Sequence, residues 1–155
     1  YFSMTGWRLG WIVVPKNHIR QFERLAQNMF ICAPHISQIA ALGALDAYDE
    51  LNLNLKTYET NRTMLIEELP KLGLKNFAPP DGAFYFYIDV SGYTNDSVNF
   101  AKSVLDEVHV AITPGIDFDP ERGLKTIRLS YACSTLDLKE GLKRLEKFMS
   151  KYIIK

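Results

Sequence analysis

Apolar and polar residues along this chain change rhythm several times, and each change marks an element. Trp7–Val14 is a short apolar run rich in β-branched residues and closed by Pro15, a pattern that predicts a buried strand. Ile19, Phe22, Leu25, Ala26 and Met29 then recur every three or four positions, the spacing of one helix face. Pro34 sits where a first-turn proline belongs, ahead of a second helical pattern carried by Ile36, Ile39, Ala40 and Leu45. The longest helix is expected over 51–72, with Leu55, Tyr58, Leu65, Leu69 and Leu72 on one stripe. Pro70 and Gly73 give it a stop.

The pattern shifts at 76–82, where Pro79-Pro80-Asp81-Gly82 reads as a rigid turn, and Ala83–Val90 follows as a strand rich in aromatics. Gly92–Asn95 is a loop, and Asp96 or Ser97 can cap a helix carrying Val98, Ala101, Val104 and Leu105. His109–Thr113 reads as a short strand ended by Pro114-Gly115. Asp117–Gly123 is a polar loop and Lys125–Tyr131 another strand. A last helix begins near Leu136, with Leu138, Leu142, Leu145, Phe148, Met149 and Tyr152 as its apolar face. The chain is therefore mixed α and β: helices dominate the first half after one strand, and strands alternate with helices in the second. That second half is expected to form a small sheet with helices packed on one face.

Composition narrows the function classes. At 155 residues the chain is long enough to bury roughly 70% of its unfolded surface, and 47% hydrophobic with 23% charged residues excludes a disordered or fibrous class. Lys plus Arg and Asp plus Glu each number 18, which removes any general electrostatic case for nucleic acid or an anionic membrane. The run Phe84-Tyr85-Phe86-Tyr87 accordingly reads as strand core, not as a base-stacking platform. Apolar runs fall short of the ~20 residues of a membrane span, and no signal-peptide pattern opens the chain. Cys32 and Cys133 are too few and too separated for a disulfide framework. They read as small core residues in a reducing compartment. His18, His35 and His109 lack metal-ligand spacing, so no metal site is expected. Asn61 and Asn95 head sequons that are common by chance.

Two arginines carry the candidate chemistry. Arg8 stands in Ser3-Met4-Thr5-Gly6-Trp7-Arg8-Leu9-Gly10, where Gly6 and Gly10 are expected to let the backbone pass close to its neighbours. In Thr126-Ile127-Arg128-Leu129-Ser130-Tyr131, period-two alternation sets Ile127, Leu129 and Tyr131 on one face and Thr126, Arg128 and Ser130 on the other. From residue type alone each arginine reads as a surface cation. A guanidinium is nevertheless the group of choice for phosphate or carboxylate, because its planar fork of donors keeps its charge.

The strings around these arginines, taken in order, resemble the fold-type I pyridoxal-phosphate aminotransferases of class I/II, the aspartate aminotransferase-like group. In that family a Ser-Lys pair and a short aromatic stretch precede Met-Thr-Gly-Trp-Arg-Leu-Gly. The resemblance places the Schiff-base lysine immediately before Tyr1, so no catalytic residue is expected in the chain, and a polypeptide of these residues alone is expected not to transaminate. It implies that Arg8 pairs with the cofactor phosphate and that Arg128, in Ile-Arg-Leu-Ser-Tyr-Ala, binds the substrate α-carboxylate bidentately. Pro80-Asp81-Gly82-Ala83-Phe84-Tyr85 resembles the segment that opens the family's small-domain sheet. Thr113-Pro114-Gly115 with Phe118 resembles the loop before the carboxylate-binding strand. That loop departs from the pattern: Asp117 and Asp119 flank Phe118, where the family often carries a small residue before and a glycine after.

Carried over, the resemblance implies an α/β, pyridoxal-phosphate-dependent transferase-like fold of type I. Residues 1–50 would end the large cofactor-binding domain, 51–72 would be the connecting helix, and 73–155 would form the small α/β domain. It implies pyridoxal phosphate as cofactor, and transfer of an amino group between an L-amino acid and a 2-oxo acid in amino-acid biosynthesis. A cytoplasmic homodimer with active sites at the subunit interface is implied as well, with neither nucleic acid nor membrane as a partner. The alternatives are a lyase or decarboxylase on the same fold, or a stable piece with a structural role only.

Overall fold

The structure is a computed structural model that describes residues 1–152; residues 153–155 of the expected small domain lie outside the described residues. Two compact units divide the chain, Tyr1–Leu55 and the portion from Lys56 onward. In the first, a 3-10 turn at Thr5–Trp7 leads into an irregular run, and a second turn at Lys16–His18 enters α1 (Ile19–Met29). Helix α2 (His35–Ala44) follows, with Pro34 as its N-cap, and α3 (Tyr48–Glu68) begins in this unit and continues into the next.

The strand expected at Trp7–Val14 does not form. Arg8 takes a left-handed backbone conformation, φ 56°, which breaks the extended geometry. None of the described strands pairs with the residues that follow, so they lack the ladder a strand requires. Trp11, Ile12 and Val13 are exposed, Val13 by 92%. The amphipathic stripe of α1 is present as expected, yet Ile19, Phe22, Leu25 and Met29 are uncovered. Gly6 and Gly10 mark no close approach either, since a Cβ at either position would meet nothing within 4 Å. Cys32 and Cys133 are exposed, not core, because each falls just outside the element that its neighbours pack.

The second unit holds the core. Its antiparallel sheet has the order β1 (Asn76–Phe77), β2 (Tyr85–Asp89), β4 (Thr126–Ser130), β3 (Thr113–Pro114). Helix α4 (Ser97–Val108) stands between β2 and β3, and α5 (Thr135–Met149) follows β4. Both helices start on side-chain caps: Asp96 accepts from the Asn99 amide, and Ser134 from the Asp137 amide. Alternation along β2 and β4 buries Phe86, Ile88, Ile127 and Leu129. These pack in one cluster with Leu65 of α3, Leu69 just beyond it, Val104 of α4, and Leu145 and Phe148 of α5. Helices therefore cover one sheet face, which leaves the other for Tyr85, Tyr87 and Arg128.

Two edges differ from the sequence reading. His109 adopts φ 57° to cap α4, so the strand expected from His109 shrinks to Thr113–Pro114, and Pro114 suits an edge because it has no N–H to donate. Asn76 and Phe77, ahead of the Pro79–Gly82 turn and given no element by the sequence, pair with Asp89 and Ile88. Asn61 of α3 is fully buried, which disposes of its sequon. Its amide donates to the carbonyls of Tyr131 (3.1 Å) and Cys133 (2.9 Å), and its oxygen accepts from the Thr135 hydroxyl (2.8 Å). This contact ties the chain leaving β4 to the long helix.

Candidate functional site: a guanidinium under two aromatic rings

Arg128 sits at the middle of β4, with Tyr87 opposite on β2 and Thr113 opposite on β3. A central position on a three-strand stretch fixes its backbone on both sides, so the side chain rises from a rigid floor. Its Nη2 donates to the Thr113 hydroxyl at 3.4 Å, a long bond. Its Nε is buried and has no hydrogen-bond partner. Cζ lies 4.9 Å from the Tyr85 ring centroid and 4.4 Å from that of Phe118, both within cation–π range. Among the described residues no carboxylate pairs with Arg128.

The loop after Pro114 brings Phe118 to this position. A 3-10 turn over Gly115–Asp117 directs the Phe118 and Asp119 amides to the Gly115 carbonyl, each at 2.9 Å. The loop then returns through Gly123, whose backbone lies against Gly115 and Ile116 so closely that neither glycine has room for a Cβ. Asp119 closes the turn: its carboxylate accepts the Glu121 amide (3.0 Å), the Arg122 amide (2.9 Å) and the Arg122 Nε (3.0 Å). These contacts, the Arg122 amide foremost, hold the Asp119 carboxyl below the usual carboxylate range. The departure from the usual loop pattern at this residue is thus a local clasp. Behind it, the Thr126 hydroxyl donates to the Tyr87 hydroxyl at 2.6 Å. The result is a cavity of about 770 Å³ lined by Tyr85, Tyr87, Phe118, Asp119, Arg122 and Arg128 among others.

Chemically this arrangement suits a carboxylate or a phosphate. A half-buried cation without a counter-charge carries a desolvation cost that a ligand carboxylate or phosphate relieves, and the unspent donors of the guanidinium lie in its plane. Sequence reasoning named Arg128 and Phe118 but missed Tyr85 as a partner of the guanidinium. Alternation along Ala83–Val90, which sets Tyr85 and Tyr87 opposite Phe86 and Ile88, was the available signal. The clasp by Asp119 and the Gly115–Gly123 contact had no comparable signal.

Arg8 belongs to the first unit and is exposed at the C-cap of the Thr5–Trp7 turn, its Nη1 donating to the Thr5 carbonyl at 3.2 Å. Its remaining donors, with the exposed hydroxyls of Ser3 and Thr5 on the same short segment, form a set chemically suited to a phosphate. Ser3 is itself left-handed (φ 52°), and its hydroxyl accepts from Asn54 at 3.1 Å. Two non-glycine residues in that region within one octapeptide mark a backbone set for something other than regular structure.

Comparison with known proteins gives the fold its relatives. The family model described as "Aminotransferase class I and II" matches residues 1–145. The valine–pyruvate aminotransferase of Mycobacterium tuberculosis is 44% identical over 151 residues, covering 96% of this chain and 39% of its own length. The (5-formylfuran-3-yl)methyl phosphate transaminase of Methanocaldococcus jannaschii is 37% identical, covering 97% of this chain and 40% of its own. A crystal structure of a candidate aminotransferase from Silicibacter pomeroyi superposes with a TM-score of 0.88 at 60% identity, covering 96% of this chain and 40% of that one. The chain thus spans about 40% of the length of the relatives it matches. Over that span its architecture is that of the fold-type I, pyridoxal-phosphate-dependent transferases, and the chain belongs to the aminotransferase class I and II family.

Proposed function

We propose that this chain supplies the carboxylate receptor and part of the phosphate anchor of an enzyme that moves an amino group between an L-amino acid and a 2-oxo acid. The observation that carries the reading is Arg128: a guanidinium on a rigid strand, ringed by Tyr85 and Phe118, with Nε unpartnered and, among the described residues, no carboxylate in ion-pair contact with it. Amino acids and 2-oxo acids share one feature, a carboxylate next to the reacting carbon. A bidentate clamp on it orients the neighbouring Cα–H and amino group, so its binding energy goes into positioning. Arg8, with Ser3 and Thr5, would hold the phosphate of pyridoxal phosphate as a fixed counter-charge. When bound, that cofactor supplies the electron sink that acidifies the substrate Cα–H.

The relatives' names support the substrate class, valine and pyruvate in one case. In this reading residues 1–50 complete the large domain, 51–72 connect, and 73–155 form the small domain. The uncovered apolar faces of the first unit, Trp11, Val13, Phe22 and Met29 among them, pack against further polypeptide of the complete enzyme. We place that enzyme in the cytoplasm as a homodimer serving amino-acid biosynthesis. Among the described residues no helix is long and apolar enough to cross a membrane.

The test is amino transfer by the full-length protein. With pyridoxal phosphate it should consume an L-amino acid and a 2-oxo acid in equal amounts and release the exchanged pair. Release of carbon dioxide or ammonia without a 2-oxo acid requirement would instead identify a decarboxylase or lyase.

A further inference from the structure

We infer that Phe118 is a positioning residue for carboxylate capture, acting on the substrate only through the Arg128 guanidinium. The inference rests on the reading of Arg128 just given and goes beyond it.

Phe118 is 53% exposed, so little of its placement is explained by burial of its own surface. It stands between Asp117 and Asp119 in a polar loop, and its ring lies closer to Arg128 Cζ (4.4 Å) than the Tyr85 ring does (4.9 Å). The features that hold it there do not involve Arg128. They are the glycine-on-glycine contact at 115 and 123, the amides on the Gly115 carbonyl, and the Asp119 clasp. The loop is therefore a preset arm that delivers one ring to one cation.

With no ion-pair partner among the described residues, an arginine with four rotatable bonds loses considerable rotamer freedom when it grips a ligand. Stacking it beforehand removes most of that cost from the binding step. A ring contact made through the face of a guanidinium leaves its in-plane N–H donors for a carboxylate arriving edge-on. A shape-filling role for Phe118 and an electrostatic one differ in a measurable respect: only the second depends on the electron density of the ring.

The experiment uses the full-length enzyme with Phe118 replaced in turn by 4-fluoro-, 3,5-difluoro- and 3,4,5-trifluorophenylalanine, alongside Phe118→Tyr and Phe118→Leu. KM for the amino acid should climb stepwise with fluorination, to roughly three- to tenfold across the series. The kcat at saturation and the affinity for pyridoxal phosphate should stay near wild type, and Phe118→Tyr should behave as wild type. A flat fluorination series overturns the inference, even if Phe118→Leu raises KM, because packing alone then accounts for the contact. Arg128→Ala separates the two levels: if it weakens the amino acid while the series is flat, only the role of Phe118 fails. If Arg128→Ala is also without effect, the carboxylate reading of Arg128 fails with it.

Discussion

Gly115 and Gly123 meet backbone to backbone. A Cβ on Gly123 would stand 2.4 Å from the Ile116 nitrogen and 2.6 Å from the Gly115 carbonyl carbon, and one on Gly115 would stand 2.0 Å from Thr126 Oγ1. Backbone cannot yield as a flexible side chain can, so the fit of the loop onto β4 depends on two absent methyl groups. Gly123→Ala should cost about 1–3 kcal/mol, the scale of overpacking in a close-fitting site. It should also raise KM for the amino acid, because the arm that carries Phe118 is displaced. A urea melt of the full-length protein, paired with steady-state kinetics, checks both.

Asn61, itself fully buried, links α3 to the chain leaving β4 by three hydrogen bonds. Asn61→Ala removes the donor to two carbonyls and strands the Thr135 hydroxyl, at a cost of about 1–3 kcal/mol for the unsatisfied groups. Asn61→Asp should be at least as damaging, since it loses both donated bonds and adds a buried charge. Chemical denaturation measures the loss. An unchanged midpoint for Asn61→Ala would show that water replaces the amide without penalty.

Asp119 makes the loop sensitive to acid. Its folded-state carboxyl is lowered by the Arg122 and Glu121 amides and by the Arg122 side chain, so its contribution to loop order is complete above the ordinary carboxylate range. That contribution is lost as pH falls through the lowered value, when the carboxyl takes up a proton. Protection of the Glu121 and Arg122 amides, taken as exchange relative to the intrinsic rate at each pH, should therefore fall on acidification in the wild type. In Asp119→Ala that protection should be low at every pH. Equal protection in the two proteins would contradict the clasp.

How much of this was legible in the sequence depended on whether the signal was periodic. Alternation in Thr126–Tyr131 correctly set Ile127, Leu129 and Tyr131 in the core and Arg128 on the opposite face, because a pleated strand leaves no other choice. The face of α5 was equally visible, with Leu138, Leu145, Phe148 and Met149 buried, whereas on α4 Val98 and Leu105 of the expected stripe are exposed and Phe100 and Val108 are buried beside Ala101 and Val104. Trp7–Val14 misled because an apolar β-branched run records only a tendency to pair, whereas a strand also needs a neighbour, and Arg8 turns left-handed at the second residue of the run. At the site, residue strings pointed to Arg128 and Phe118, but the ring-on-cation contact joins residues from three separate segments. Likewise the glycines that matter by close approach are Gly115 and Gly123, not Gly6 and Gly10, since proximity between loop and strand leaves no periodic mark.

The central claim is that Arg128 receives the carboxylate of the substrate, and substrates with and without that group test it most directly. In the full-length enzyme charged with pyridoxal phosphate, single-turnover amino transfer from an L-amino acid is compared with that from the corresponding amine lacking the carboxylate. Arg128→Ala should lower kcat/KM for the amino acid by roughly 30- to 1,000-fold, the scale of losing a charge-assisted bidentate contact. It should leave the slow reaction of the amine unchanged, so the discrimination between the two collapses. Equal losses for both substrates, or retained discrimination in Arg128→Ala, would contradict the account.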